Sequence, residues 1–116
     1  MGKLSDLGVE EVINGLSNKS FSAKELVQAY IDKILEDKIL NAFVRVNPEK
    51  SLKNAELSDD RRKRNKVLPL DGVPIAVKDI FCTKNEETNA SSKILENFVP
   101  QYESTVTRKL LESGGI

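Results

Sequence analysis

The chain has 116 residues, enough for one domain or part of one, and its 18 basic and 18 acidic side chains cancel, so it has no general attraction to nucleic acid or anionic membranes. With no histidine and with Cys82 as its single cysteine, the chain lacks the commonest metal ligand, the usual general base near neutral pH and any internal disulfide, which is typical of a reducing compartment. No run approaches the roughly 20 apolar residues that a membrane-spanning helix needs, so no membrane partner is expected.

Two amphipathic helices are predicted in the first third of the chain. The first has apolar positions at Leu4, Leu7, Val12, Ile13 and Leu16 and closes near residues 16–20. The second begins at Ser22, which can form a capping box with Glu25, while Phe21 is placed to meet Leu26 as a hydrophobic staple. Its apolar stripe packs either onto the parent domain or onto a partner subunit, and consists of Leu26, Val27, Tyr30, Ile31, Ile34 and Leu35.

A strand and a third helix are predicted next. Residues 41–47, NAFVRVN, alternate in hydrophobicity and predict a short strand. Asn47, Pro48 and Glu49 predict a helix start, and this helix is expected to run to about Leu57. Residues 58–66, SDDRRKRNK, lack periodicity and predict a solvated connection. Their basic side chains could instead contact nucleic-acid phosphates; these are Arg61, Arg62, Lys63, Arg64 and Lys66.

The apolar segment GVPIAVKDIF, residues 72–81, predicts a second strand that carries a lysine near its end. In an extended conformation Ala76 and Lys78 share one face. A lysine amine brought into a low-dielectric cleft loses its charge readily and can then act as a base. The alternative is that Lys78 emerges into water and pairs loosely with Asp79, which could also orient Lys78 or support the following turn. Local sequence alone favours the exposed lysine.

A polar stretch at residues 83–93 precedes a last helix, which is marked by Val106, Leu110 and Leu111 and ends at Gly114 or Gly115. The order of helices, strand, helix, strand and helix predicts the α/β class. Two short strands are marginal by themselves, so we expect a piece of a larger α/β domain. Residues 1–66 would form a mainly helical N-terminal segment and residues 67–116 the start of the core.

Residues 68–116 contain, in order, the motifs GVPIAVKD, CTK, SKILENF, TV and LLESGG. Together these motifs resemble the amidase signature family, and most closely the glutaminase (A) subunits of glutamyl-tRNA(Gln) amidotransferases. The segments FSAKELVQAYIDKI and LNAFVRVNPEKSLKNAE extend the resemblance over essentially the whole chain. The resemblance implies the N-terminal portion of the amidase signature fold, a mixed β-sheet core covered by helices, incomplete in this chain.

The resemblance also implies a Ser–Ser–Lys triad in which Lys78 is the catalytic base. In the family both serines belong to a Gly/Ser-rich segment that follows the position of Ile116, so neither Ser91 nor Ser92 is assigned to the triad. The implied substrate is glutamine, whose ammonia would pass to a partner protein for ATP-dependent amidation of Glu-tRNA(Gln). The implied complex is a heterotrimer with subunits B and C in the cytoplasm or an organellar matrix. ATP and Mg would be used on one of those partners, with no cofactor bound by this segment.

Several positions depart from the family pattern and bear on the loop near the implied glutamine pocket. Ile80 and Phe81 stand where the family has Asn-Ile, Asn85 stands where glycine is frequent, and Asn89 stands where threonine is frequent. Two other functions stay open. The chain could belong to another amidase signature hydrolase of a small amide, or it could be a non-catalytic interaction fragment. We expect the fragment alone to be inactive.

Two further features have structural interpretations. Cys82 could be a nucleophile, but no histidine exists to activate it, so a small buried side chain is favoured. Phe98 and Tyr102 are expected to anchor the loop that precedes the last helix.

Overall fold

Four α-helices and three short 3-10 turns make up the regular structure of residues 2–116, which the computed structural model describes. The helices are α1 (Val9–Ser17), α2 (Ala23–Glu36), α3 (Pro48–Lys63) and α4 (Thr105–Glu112), and the 3-10 turns are Leu4–Asp6, Lys38–Leu40 and Lys93–Leu95. No strand is assigned within residues 2–116, so the mixed sheet of the predicted α/β class is not confirmed by this part of the chain.

Capping contacts determine where the first two helices begin. The Glu11 carboxylate accepts the Gly8 N–H at 2.7 Å, and because Gly8 stays extended the predicted first helix divides into a 3-10 turn and α1. At α2 the predicted capping box is confirmed. The Ser22 hydroxyl accepts the Glu25 N–H at 3.1 Å, and the Glu25 carboxylate accepts the Ser22 N–H at 2.8 Å.

The hydrophobic core lies between α1, α2 and α3. Helix α2 packs against α3 and against the Leu4–Asp6 turn. Burial of each large apolar side chain here stabilises the fold by about 1.5–3 kcal/mol. The stripe predicted on α2 therefore packs within the chain over its first half, whereas Leu35 is 51% exposed. The buried apolar residues are Val12, Leu16, Ala23, Leu26, Val27, Ile31, Ala55 and Val73.

Helix α3 continues past the predicted end near Leu57 because its last turns make long-range contacts. Asp59 accepts the backbone N–H groups of Ala23 at 2.8 Å and Lys24 at 3.1 Å, and so caps the start of α2. Ser58 is fully buried, and Arg61 binds Asp71 beyond the end of the helix. The prediction of a solvated connection over residues 58–66 is therefore wrong for its helical part.

Neither predicted strand forms, because a strand requires a continuous hydrogen-bonded ladder with a neighbour. Residues 42–46 make no backbone hydrogen bond to another described segment. Within residues 72–81, only the first part pairs. The Ile116 N–H donates to the Val73 C=O at 2.9 Å, and the Ile75 N–H donates to the Ile116 C=O at 2.6 Å, which is the pattern of a parallel pair. The segment then ends in a turn.

Helix α4 ends as its sequence predicts, and it begins at a serine cap that the sequence interpretation did not identify. The Ser104 hydroxyl accepts the Thr107 N–H at 3.1 Å and caps the helix, and Gly114 adopts the left-handed conformation with φ of 90°. The predicted boundary between residues 1–66 and 67–116 stays a prediction. Within residues 2–116 no helix has the length and apolar character to cross a membrane.

Candidate active-site lysine and its surroundings

Lys78 lies at the start of the turn that follows the irregular residues 73–77. The Phe81 N–H donates to the Lys78 C=O at 3.1 Å and closes this turn. The Lys78 side chain is exposed and makes no hydrogen bond or ion pair with any residue of 2–116. Residues 2–116 therefore do not bury the Lys78 amine in a cleft, and the catalytic role of Lys78 stays a prediction.

Asp79 is held by an ion pair rather than by Lys78. The Arg45 guanidinium contacts the Asp79 carboxylate through Nη2, and the same nitrogen donates to the Glu87 C=O at 2.6 Å. The Asp79 side chain is 17% exposed, and its second oxygen, Oδ2, is buried without a hydrogen-bond partner among the described residues. The predicted loose pair between Lys78 and Asp79 is not formed. Asp79 instead supports the turn.

The loop over residues 82–104 is tied to the rest of the chain at several points. The Asn85 N–H donates to the Pro100 C=O at 2.9 Å, and the Thr88 N–H donates to the Phe98 C=O at 2.9 Å. Asn85 has a φ of 63°, the left-handed region that glycine adopts freely and asparagine tolerates better than most residues. This conformation explains why asparagine can stand at a position where the family frequently has glycine.

The other residues singled out by the sequence are Cys82, Tyr102, Ser91 and Ser92. Cys82 is half-buried and its thiol lies 3.3 Å from the Tyr102 hydroxyl, which is consistent with the expected anchoring of this loop by Tyr102. The pKa of Tyr102 is raised by that contact. Neither the Ser91 nor the Ser92 hydroxyl forms a hydrogen bond to Lys78 in the described structure.

The most important residue that the sequence interpretation missed is Asp71, at the start of the segment that leads to Lys78. Its side chain is fully buried and accepts a bidentate pair of bonds from Arg61, Nε to Oδ2 at 3.0 Å and Nη2 to Oδ1 at 2.6 Å. Arg62 donates to the Asp71 backbone C=O. Burial would raise the pKa of Asp71, but the Arg61 hydrogen bonds and the Leu68 N–H outweigh it and lower the pKa below its usual value.

A signal for Asp71 was present in the sequence as an acidic residue between two apolar segments, in LPLDGVPI. An acidic side chain at such a position is expected to have a basic partner if it is buried. The basic run supplies that partner through Arg61 and Arg62, so these two arginines are structural in this chain. No group of three or more His, Cys, Asp or Glu side chains within residues 2–116 is arranged to hold a metal ion.

Known proteins are similar to this chain over most or all of its length. The profile of the Amidase family matches residues 25–116. Several similar curated proteins are the A subunits of bacterial glutamyl-tRNA(Gln) amidotransferases. The one from Zymomonas mobilis is 45% identical over 114 residues, covering 98% of this chain and 23% of the relative. The one from Methylocella silvestris is 47% identical over 116 residues, covering 100% of this chain and 24% of the relative. The chain thus spans about a quarter of the length of these relatives.

Two solved structures are also similar, each with a TM-score of 0.88 and 29% sequence identity over 95% of this chain and 25% of the other. They come from a study of a vestigial protein complex and the origins of an s-triazine catabolic enzyme, and one of them is an inhibitor-bound complex. The family profile covers most of the chain, and the match includes the segment that carries Lys78. The chain therefore belongs to the Amidase family.

Proposed function

We propose that this chain is the N-terminal part of the glutaminase subunit of a glutamyl-tRNA(Gln) amidotransferase, and that Lys78 is the catalytic base. The observation that carries the proposal is the identity of 45–49% with A subunits of glutamyl-tRNA(Gln) amidotransferases from several bacteria over nearly the whole chain. Lys78 lies in the GVPIAVKD motif, where the family has the lysine of its Ser–Ser–Lys triad. The turn that carries Lys78 lies between two hydrogen-bonded segments, and this would hold the base in place next to serines supplied by another part of the protein.

In the proposed reaction, Lys78 works through two serines that the family carries after the position of Ile116. The uncharged amine accepts a proton from the bridging serine, which accepts one from the nucleophilic serine as its oxygen attacks the side-chain amide carbon of glutamine. The C–N bond breaks and the nitrogen leaves as ammonia after it gains a proton. Water then hydrolyses the glutamyl ester and regenerates the serine.

The proposed setting of this chemistry is a cytoplasmic or organellar heterotrimer with subunits B and C. Ammonia released at the serine site would amidate the glutamate of Glu-tRNA(Gln) in an ATP-dependent step. ATP and Mg would act on one of the partners, because that step takes place away from the glutaminase site. Glutamine is the small-molecule substrate proposed for the site that includes Lys78.

The test compares ammonia release from glutamine by the complete gene product, assembled with its co-purifying subunits, before and after Lys78→Ala. General base catalysis contributes about 10²–10⁴-fold, so we expect a loss of about 10³-fold. Lys84→Ala, which removes an exposed lysine six positions later, serves as the matched control and is expected to retain activity. Activity of Lys78→Ala near that of the unchanged enzyme would contradict the proposal.

A second candidate is an amidase that acts on another small amide, which is favoured by the similarity to the structures from the s-triazine study. That similarity is weaker, at 29% identity against 45–49% for the A subunits of the amidotransferases. Co-purification with two subunits and activity that depends on Glu-tRNA(Gln) would separate the two functions. A stable protein that binds a partner and turns over no amide would favour an interaction module instead.

A further inference from the structure

Residues 70–75, which lead to Lys78, lie beside residues 113–116. Four backbone hydrogen bonds with lengths of 2.6–3.0 Å join the two segments. In the proposed function, the serines of the triad follow the second of these segments. The register between the two segments therefore bears on the distance between the base and the serines. The bonds run from the Leu70 N–H to the Ser113 C=O, from Gly72 to Gly114, from Ile75 to Ile116, and from the Ile116 N–H to the Val73 C=O.

Asp71 lies where these two segments meet α3. Its side chain is fully buried, and its carboxylate accepts bonds from Arg61, from Nε at 3.0 Å and from Nη2 at 2.6 Å. Its backbone C=O accepts a bond from Arg62 of the same helix. The two residues next to Asp71 in the chain, Leu70 and Gly72, donate the first bonds to residues 113–116. Helix α3 thus holds the junction through both the side chain and the backbone of Asp71.

Close packing limits movement at the same junction. A Cβ at Gly114 would lie 2.7 Å from the Asp71 Cα and 3.1 Å from the Asp71 nitrogen. A Cβ at Gly115 would lie 2.4 Å from Cδ1 of Ile75. The two segments are therefore packed as closely as glycine permits, and Asp71 cannot approach residues 113–116 any further.

A small change of register at this junction is large on the scale of catalysis. One residue of slip along a hydrogen-bonded pair of segments is a movement of about 3.3 Å. A misplacement of reacting groups by about 1 Å can lower a rate about 10²-fold. The Arg61–Asp71 pair resists such a slip, because a movement of Asp71 would leave a buried carboxylate without its partner.

We infer that Asp71 and Arg61 are positioning residues for the amidase reaction: their ion pair holds the segment that carries Lys78 in register with the segment that leads to the serines. This inference rests on the proposed function, in which both serines follow the position of Ile116. Neither Asp71 nor Arg61 touches glutamine in this role. Both act through the backbone of the two hydrogen-bonded segments.

The first test measures the coupling of the two segments without reference to glutamine. Amide hydrogen exchange of the complete gene product is followed by mass spectrometry in peptides that cover residues 70–75 and 113–116. Asp71→Asn is expected to speed exchange in both peptides about tenfold, because the neutral side chain binds Arg61 more weakly.

Ser22→Ala is the matched control for loss of stability. It removes the cap of α2, and within residues 2–116 the Ser22 side chain forms hydrogen bonds with Glu25, not with residues 70–75 or 113–116. Exchange in the two peptides is expected to change less than about twofold in this variant.

The second test is ammonia release from glutamine by the same variants, measured at a temperature where each is fully folded. Asp71→Asn is expected to lower kcat about tenfold and to change KM less than about twofold, because a displaced base weakens the transition state more than the binding of glutamine. Ser22→Ala is expected to keep both parameters. A purely structural role for Asp71 would leave kcat of the folded enzyme unchanged.

Two further variants perturb the same junction by other routes. Arg61→Lys keeps a cation beside Asp71 but loses the two-bond geometry, so a smaller loss of kcat, about threefold, is expected. Gly114→Ala displaces Asp71 by contact rather than by charge, and is expected to lower kcat with little change in KM. If Asp71→Asn does not fold, exchange and kcat are judged on Arg61→Lys.

The outcomes separate this inference from the proposed function. Exchange that is unaffected by Asp71→Asn, or raised equally by Ser22→Ala, would overturn the positioning role and leave the proposed function standing. A folded Asp71→Asn enzyme with full kcat would do the same. Undiminished ammonia release by Lys78→Ala would overturn both, so the two failures are distinguishable.

Discussion

At the scale of single residues, Asp71 joins three parts of the chain. Its carboxylate binds Arg61 of α3, its backbone C=O accepts a bond from Arg62, and its Cα lies against Gly114 beyond α4. A side chain at Gly114 would come within 2.7 Å of that Cα, and the φ of 90° is also unfavourable for other residues. The start of the segment that leads to Lys78 is therefore held by charge on one side and by close packing on the other.

We predict that Asp71→Asn destabilises the chain by about 3 kcal/mol, because it removes one member of a largely buried ion pair. Urea unfolding at neutral pH measures this change, and Asp60→Asn, which alters an exposed pair with Lys63, should cost less than about 0.5 kcal/mol. Equal effects of the two substitutions would show that the Arg61–Asp71 pair does not stabilise the fold.

The same carboxylate predicts a loss of stability in acid. The pKa of Asp71 is lower in the folded chain than in the unfolded one, so the unfolded state binds the proton more readily. The stabilisation is therefore complete above the unfolded pKa of about 4 and is lost as pH falls through the lower, folded value. Repeating the urea series between pH 5 and pH 2 should show a smaller acid-dependent decline for Asp71→Asn than for the unchanged chain.

At the scale of secondary structure, the packing of α1 depends on the absence of a side chain at Gly15. A Cβ at Gly15 would lie 2.3 Å from ring atoms of Phe21, the residue that precedes the cap of α2. Helix propensity alone favours alanine over glycine by about 1 kcal/mol. The close approach of Phe21 reverses that preference, because the aromatic ring would have to move out of its packed position.

We predict that Gly15→Ala destabilises the chain by about 1–3 kcal/mol in urea unfolding, the usual range for overpacking. Asn14→Ala is the matched control on an exposed position of the same helix and should be neutral or slightly stabilising. Combining Gly15→Ala with Phe21→Leu should recover part of the loss. If Gly15→Ala raised stability as much as Asn14→Ala, the proposed packing of Phe21 on α1 would be wrong.

At the scale of the whole molecule, local signals predicted where α2 and α3 begin, whereas the end of α3 depends on long-range contacts. The caps at Ser22 and Asn47 depend on residues within one turn, so the sequence predicts them and the structure confirms them. The end of α3 depends on Asp59 contacting Ala23 and on Arg61 contacting Asp71, pairings that no local pattern predicts.

The two predicted strands also depended on long-range contacts that a local sequence pattern does not predict. Alternating hydrophobicity over residues 41–47 predicts a strand, but a strand also needs a partner, and no described segment pairs with this one. At the candidate site, Lys78 could be found because it belongs to a recognisable motif. The contact between Arg45 and Asp79 was not predicted, because Arg45 lies within an apparent strand pattern and the two residues are 34 positions apart in the chain.

The central proposal is that Lys78 accepts the proton in the proposed glutamine hydrolysis, and the pH dependence of kcat/KM tests it most directly. At low pH this parameter is limited by protonation of the free enzyme's essential base. For the complete gene product, we predict that kcat/KM falls with acid through one ionisation, and that Lys78→Ala leaves a residual rate in which that ionisation is missing. A Lys78→Ala enzyme with the same acid-side decline at the same pH would contradict the account, because another group would then be the base.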